Sequence, residues 1–203
     1  MGLRLADIRI SKKISIAAIV PLVGLALFAC VTLFQAWTEA AAARAVLKAS
    51  ELAESASLTI HELQKERGMS AGFVASKGQQ FAAELPPQRQ ASDARIRAFQ
   101  DVKSAFYAEG KVGTALDAAA RELQKIEVLR KSVSGFAVPA GDAAVAYTRI
   151  IAALLSVAES IGDLSNNAGI NQAVSVYTAA LRGKEQAGQE RATGARGFGA
   201  GKF

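Results

Sequence analysis

The chain has 203 residues, 51% of them hydrophobic and only 6% aromatic, with 24 Lys and Arg against 18 Asp and Glu. That length supports one domain with a proper core, and plentiful Ala with few aromatics favours closely packed helices over a β-rich fold. The single cysteine, Cys30, excludes an internal disulfide, and residues 39–203 hold no cysteine ligand for a metal. No Lys/Arg stripe interleaved with aromatics is present, so no nucleic-acid partner is expected.

The first element is apolar. No charged residue occurs from Ile14 to Thr38. A helix over those residues spans roughly 37 Å at about 1.5 Å per residue, enough to cross a hydrocarbon core of about 30 Å. The run is longer than the apolar region of a signal peptide, and Leu27-Phe28-Ala29-Cys30 matches a lipoprotein signal only loosely. Residues 14–38 are therefore expected to form an uncleaved transmembrane helix, with Pro21 near its start and Trp37 as an interfacial anchor. Arg4, Arg9, Lys12 and Lys13 precede it against Asp7 alone. The positive-inside rule then puts residues 1–13 in the cytoplasm and residues 39–203 outside. The net charge of +6 and pI near 9.6 are in part this topological signal.

Beyond the anchor, a long helix is expected from about Thr38 to Lys77, with Val46, Leu47, Leu52, Leu58, Leu63 and Phe73 as its apolar positions. Gly78 is its expected stop, and Pro86-Pro87 a break before a second helix from about Gln88 to Tyr107. Gly110 and Gly113 mark a turn, and Thr114 an N-cap for a third helix. That helix places Leu116, Ala119, Leu123, Ile126, Arg130 and Val133 on one seam. Gly135, Pro139 and Gly141 form the next loop. Asp142 then caps a fourth helix with Val145, Thr148, Ile151, Leu155, Ala158 and Ile161 on one stripe. Asn166-Asn167 and Gly169 interrupt the chain before a fifth helix from about Asn171. The expected fold is all-α: an antiparallel helical bundle preceded by one transmembrane helix.

Two segments look built for more than packing. Residues 61–73 read His-Glu-Leu-Gln-Lys-Glu-Arg-Gly-Met-Ser-Ala-Gly-Phe, and 189–198 read Gln-Glu-Arg-Ala-Thr-Gly-Ala-Arg-Gly-Phe. Each sets an Arg after a Glu and then runs into small residues that admit a neighbouring helix. Arg67 and Arg191, brought together, repel and need a negative partner. The residues leave two possibilities open, a small anion or carboxylates such as Glu62, Glu66 and Glu190. Adjacent Glu and Arg do not face each other on a helix. Lys65, Lys184, Arg182 and Arg196 read as surface charges. His61 is the only histidine, with no ligand-type neighbour for a metal, and no catalytic constellation is present. No enzyme activity and no cofactor are expected.

The paired motifs in this order resemble the nitrate- and nitrite-sensing (NIT) domain of bacterial methyl-accepting chemotaxis proteins, sensor kinases and a transcription antiterminator. The resemblance runs over about 58–203, through Leu63-Gln64-Lys65-Glu66-Arg67-Gly68, the stretches 123–129 and 147–155, and Lys184 to Ala195. It implies an all-helical domain that binds nitrate or nitrite through Arg67 and Arg191. Gly68, Ser70, Glu66, Glu190, Thr193 and Gly194 are possible supporting residues. It further implies a sensor in the bacterial inner membrane, single-pass, with a periplasmic sensing domain that signals by helix rearrangement. Such a chain is expected to be a homodimer and the front part of a chemoreceptor or sensor kinase, incomplete at its C-terminal end. Its further partners are then chemotaxis or kinase signalling proteins. The alternative is a ligand-free, membrane-tethered bundle serving as a structural or dimerisation module.

Overall fold

The computed structural model describes the backbone of residues 10–106, 110–164 and 168–200; side chains at 11–13, 42, 163–164, 170, 191–192 and 194–200 are outside the description. The basic residues Arg4, Arg9, Lys12 and Lys13, the pair Asn166-Asn167 and Phe198 therefore fall outside it, wholly or in their side chains. Among the described residues there are six α-helices: α1 (Ile10–Ala75), α2 (Leu85–Ser104), α3 (Gly110–Leu123), α4 (Ile126–Ser134), α5 (Ala140–Ser160) and α6 (Ala168–Ala200). A 3-10 turn, Ile161–Leu164, follows α5. No strand occurs among the described residues, and the fold is all-α.

The chain divides into two compact units, residues 1–45 and 46–203. In the first, α1 carries its apolar run, with large side chains such as Leu33, Phe28 and Trp37 exposed. Thr32 satisfies its hydroxyl by donating to the carbonyls of Phe28 and Ala29, both at 3.0 Å, so it adds no unmet polar group to this face.

The second unit is a helical bundle. Its core stripe on α1 is Ala49, Leu52, Ala56, Ile60 and Leu63, at helical steps of three and four. This differs from the expected stripe: Leu47 and Leu58 are exposed. The large aliphatics mislead there because alanines carry the close contacts. Thr59 donates to the carbonyl of Arg95 at 3.1 Å and Gln88 to that of Glu62 at 3.1 Å, which ties α1 to α2.

The end of α1 comes two residues earlier than expected. The Gly78 amide donates to the Phe73 carbonyl at 2.8 Å and the Lys77 amide to that of Val74 at 3.1 Å, a Schellman closure. Lys77 occupies its left-handed position at φ +52°, and Gly78 follows at φ +84°. The expected break before the second helix is present over residues 76–84, but Pro86 and Pro87 lie after it, in the first turn of α2, where a missing amide hydrogen costs nothing.

The seam on α3 and α4 is continuous. Leu116, Ala119, Leu123, Ile126, Arg130 and Val133 are all buried. The expected single helix is nevertheless two, because at Lys125 the amide bonds the Glu122 carbonyl at 3.1 Å, a tighter three-residue turn. The helix also begins earlier, at Gly110, so Thr114 is inside α3 and bonds the Gly110 carbonyl rather than capping. Asp142 makes no cap either; Pro139 precedes the first turn of α5 without a side-chain cap. On α5 the buried face is Ala143, Tyr147, Ile150, Ile151, Leu154, Val157 and Ala158. Val145 is exposed. α5 is central, packing against α3, α4 and α6.

Candidate functional site

Within mainly apolar seams, the described residues include a buried polar cluster that starts from two adjacent residues of α1. Glu66 is completely buried and Arg67 is 3% exposed. Successive residues on a helix point about 100° apart, so the two reach different neighbours.

Glu66 faces α4 and α5. Arg130 donates Nε to its Oε1 at 2.7 Å and Nη2 to its Oε2 at 2.9 Å, a two-pronged pair. The Tyr147 hydroxyl donates to Oε1 at 2.7 Å, and the Ser70 hydroxyl donates to the Tyr147 oxygen at 3.2 Å. Arg130 spends its remaining Nη1 on Asp93 at 2.5 Å and Glu127 at 2.9 Å. The Arg89 Nε lies 3.9 Å from Glu66, too far for a hydrogen bond.

These contacts outweigh burial. Burial alone pushes the Glu66 carboxyl up, but the hydrogen bonds and charge of Arg130, with the Tyr147 hydroxyl, hold it below the usual carboxylate range. Arg130 is pushed up by the same pair despite its burial. Burial and then the Glu66 charge raise the Tyr147 phenol.

Arg67 faces α5 and α6. Its Nη1 donates to Thr148 Oγ1 at 2.8 Å and to Glu185 Oε1, and its Nη2 to Glu185 Oε2 at 3.3 Å. Gln64 donates to Glu185 Oε2 at 2.8 Å and Gln189 to Oε1 at 2.7 Å. Glu185 is 5% exposed, so this pair is as dry as the first. Gly188 allows the approach of α6: a Cβ there would stand 3.2 Å from Arg67 Nη2. On α6, residues 185, 188 and 189 share one face.

The expected site residues separate on this geometry. Arg67, Glu66 and Ser70 are buried in the polar interior. Gly68 is exposed and faces open space, so the close helix contact lies at Gly188 and not there. Glu190 and Thr193 are exposed on α6. Arg191 and Gly194 belong to α6, but the Arg191 side chain and the surroundings of Gly194 lie outside the described residues. The carboxylate on Arg67 is Glu185, and not Glu62, Glu66 or Glu190. His61 sits at the surface against Lys184, Nδ1 to Nζ at 3.1 Å, and partial burial with Lys184 and Lys65 lowers its pKa against the pull of Glu62.

Arg130, Tyr147, Thr148, Glu185, Gln64 and Gln189 were not read from the sequence as site residues. One signal was present: Arg130 stands on the otherwise apolar seam Leu116–Val133, and an arginine on a core stripe implies a buried acid opposite it. Among the described residues no group of three or more His, Cys, Asp and Glu side chains is placed to hold a metal.

A family profile described as nitrate and nitrite sensing matches residues 58–203. The nitrate regulatory protein of Klebsiella oxytoca is 31% identical over 156 residues, which is 75% of this chain and 39% of that protein. The solved structure of the NasR transcription antiterminator superposes with a TM-score of 0.73 at 30% identity, covering 77% of this chain and 43% of that one. The chain thus spans about two fifths of the length of these relatives.

These relatives overturn the reading of the chain as a membrane-anchored chemoreceptor or sensor kinase with a periplasmic domain. Both are regulators by description, one of nitrate response and one of transcription antitermination, and neither is described as a receptor or an enzyme. The expected span itself rests on length and apolarity, with Trp37 and the basic residues before it setting only anchor and orientation. α5 meets the same measure while lying partly buried in the bundle, so the measure does not place a helix in a membrane. The expectation of no nucleic-acid partner also conflicts with a relative that is a transcription antiterminator.

Proposed function

The chain belongs to the nitrate and nitrite sensing family, and from that premise we propose that its bundle is the anion-reading part of a nitrate-responsive regulator. In this reading Arg67 is the ligand contact and Arg191 the second guanidinium. Ser70 and Glu66 support the first motif, and Gly68, Glu190, Thr193 and Gly194 flank the two. The single observation that carries the reading is Arg67 itself, a guanidinium 3% exposed at the junction of α1, α5 and α6.

Nitrate is planar and spreads one charge over three oxygens. A guanidinium fork gives it two parallel hydrogen bonds, each of roughly 1.5–3 kcal/mol for a charged partner. Nitrite offers two oxygens to the same fork. An anion held between α1 and α6 would favour one arrangement of these helices over another, and that differential affinity is the signal. The neighbouring Glu66 network, closed by Arg130 and Tyr147, fixes α1 against α4 and α5 and leaves α6 as the partner that responds.

The test is nitrate titration calorimetry on the full chain and on Arg67→Ala, Arg67→Lys and Arg191→Ala. Binding should be lost in both Ala variants and weak with Lys, which supplies a point charge without the fork. Exposed Lys48→Ala and Arg121→Ala should bind like the parent. Unchanged affinity in Arg67→Ala would refute the assignment.

A further inference from the structure

The carboxylate of Glu185 has the chemistry of the ligand proposed above. It is a planar oxyanion of single charge, and it sits where four N–H groups converge. Arg67 supplies Nη1 and Nη2, Gln64 supplies Nε2 at 2.8 Å and Gln189 supplies Nε2 at 2.7 Å. All four come from side chains, two of them neutral amides. Such a set matches one negative charge delocalised in a plane and is poorly matched to a tetrahedral dianion.

We infer that Glu185 is a built-in competitor: its carboxylate occupies an oxyanion cradle formed by Arg67, Gln64 and Gln189, and a planar monoanion binds by replacing it. This rests on the proposed anion site at Arg67 and adds three residues to it. Gln64 and Gln189 become ligand donors that select for a planar monoanion, and Glu185 sets the concentration at which the site responds.

The geometry makes the exchange local. Glu185 and Gln189 are one helical turn apart on α6, so a rotation of the Glu185 side chain vacates the cradle while Gln189 stays on it. Gly188 between them adds no side chain, and the free anion meets no Cβ at Arg67 Nη2. Thr148 continues to accept from Arg67 Nη1 at 2.8 Å, which holds the fork in place during the exchange. The displaced carboxylate must then find solvent or another partner, and so the exchange alters the contacts of α6.

Removing the competitor should therefore improve binding. Glu185→Ala in the full chain, titrated with sodium nitrate, should bind tighter than the parent by about tenfold or more, a change of about 1.4 kcal/mol or more. Sodium formate, a planar monoanion of similar shape, should raise its melting temperature, and sodium sulfate at equal ionic strength should not. Adding Gln64→Leu or Gln189→Leu to Glu185→Ala should weaken nitrate binding again. Should Glu185→Ala not fold, Glu185→Gln, which keeps the shape and removes the charge, is read on the same scale.

Nitrate binding equal to or weaker than the parent's in the Glu185 variant overturns the competitor while leaving an anion site at Arg67. Tighter binding that is indifferent to both glutamine replacements overturns the cradle. No binding in either parent or variant refutes the Arg67 reading and this inference with it.

Discussion

Glu66 and Arg67 are adjacent in sequence and serve opposite sides of the bundle: Glu66 holds Arg130 of α4 at 2.7 and 2.9 Å, and Arg67 holds Glu185 of α6. One dipeptide of α1 thereby supports two buried ion pairs that share no side chain. The first is closed by a bidentate arginine and a tyrosine. The second is bound by two glutamine amides, whose N–H groups could serve a free anion equally well, while Thr148 accepts from Arg67 and donates to the Ala144 carbonyl.

The first pair is a structural anchor. Arg130→Ala leaves Glu66, wholly buried, without its main partner and should cost roughly 3–5 kcal/mol in urea unfolding. Replacing the set together, Glu66→Leu with Arg130→Met and Tyr147→Phe, should recover much of that loss, because no buried charge then lacks a partner. A triple variant no more stable than Arg130→Ala would show that the set does not act as a unit.

The same anchor sets the pH response. Glu66 has a folded pKa below its ordinary value of 4.5, so its contribution is complete above that pH and is lost as pH falls through the folded value. Tyr147 has a folded pKa above its ordinary value of 10.0, so its contribution is complete below pH 10 and is lost as pH rises beyond it. Stability should therefore fall below about pH 4.5 and above about pH 10. Tyr147→Phe should remove much of the alkaline limb and leave the acid one. A parent and Tyr147→Phe with the same alkaline slope would refute the assignment.

Much of the bundle was legible in the sequence. The seam Leu116–Val133 is buried at every position expected, because three- and four-residue steps read the same across the tightened turn at Lys125. That turn itself has no glycine or proline to announce it. The α1 stripe departs from the expected one at Leu47 and Leu58, because a hydrophobic residue reports its own transfer energy and not which helix face has a neighbour. The two arginine motifs were legible as unusual, but the partner of Arg67 was not. Spacing along a helix fixes which residues share a face. It does not say which residue of a helix more than a hundred positions later lies opposite, and Arg67 finds Glu185 at that distance.

The closure of α1 gives a backbone prediction. Gly78 has φ +84°, and a Cβ there would stand 3.2 Å from the Phe136 ring, which itself stacks on Phe73 with centroids 5.1 Å apart. Gly78→Ala should cost about 1–2 kcal/mol from the left-handed backbone alone, with ring crowding added. Gly68→Ala, in the exposed interior of the same helix with open space around it, should instead be neutral or stabilising by up to about 1 kcal/mol. Urea denaturation of the two variants checks the contrast, and equal effects would contradict the assigned conformations.

The second pair is best tested as a cycle without any anion present. Arg67 and Glu185 are both nearly excluded from water, with side chains 3% and 7% exposed. Arg67→Ala strands a buried carboxylate, and Glu185→Ala strands a buried guanidinium, so each should cost roughly 3–5 kcal/mol. The double variant strands neither. It should be no less stable than the worse single variant, and the coupling energy should reach about 3 kcal/mol, the upper end for residues in contact. Unfolding curves in chloride-only buffer give all four corners of the cycle. Additivity within about 0.5 kcal/mol would mean that the two charges are solvated independently and that Glu185 is no occupant of the Arg67 fork. Strong coupling would mean that the bundle supplies its own anion at this position. Nitrate added to the Glu185→Ala corner would then do in solution what the carboxylate does in the chain.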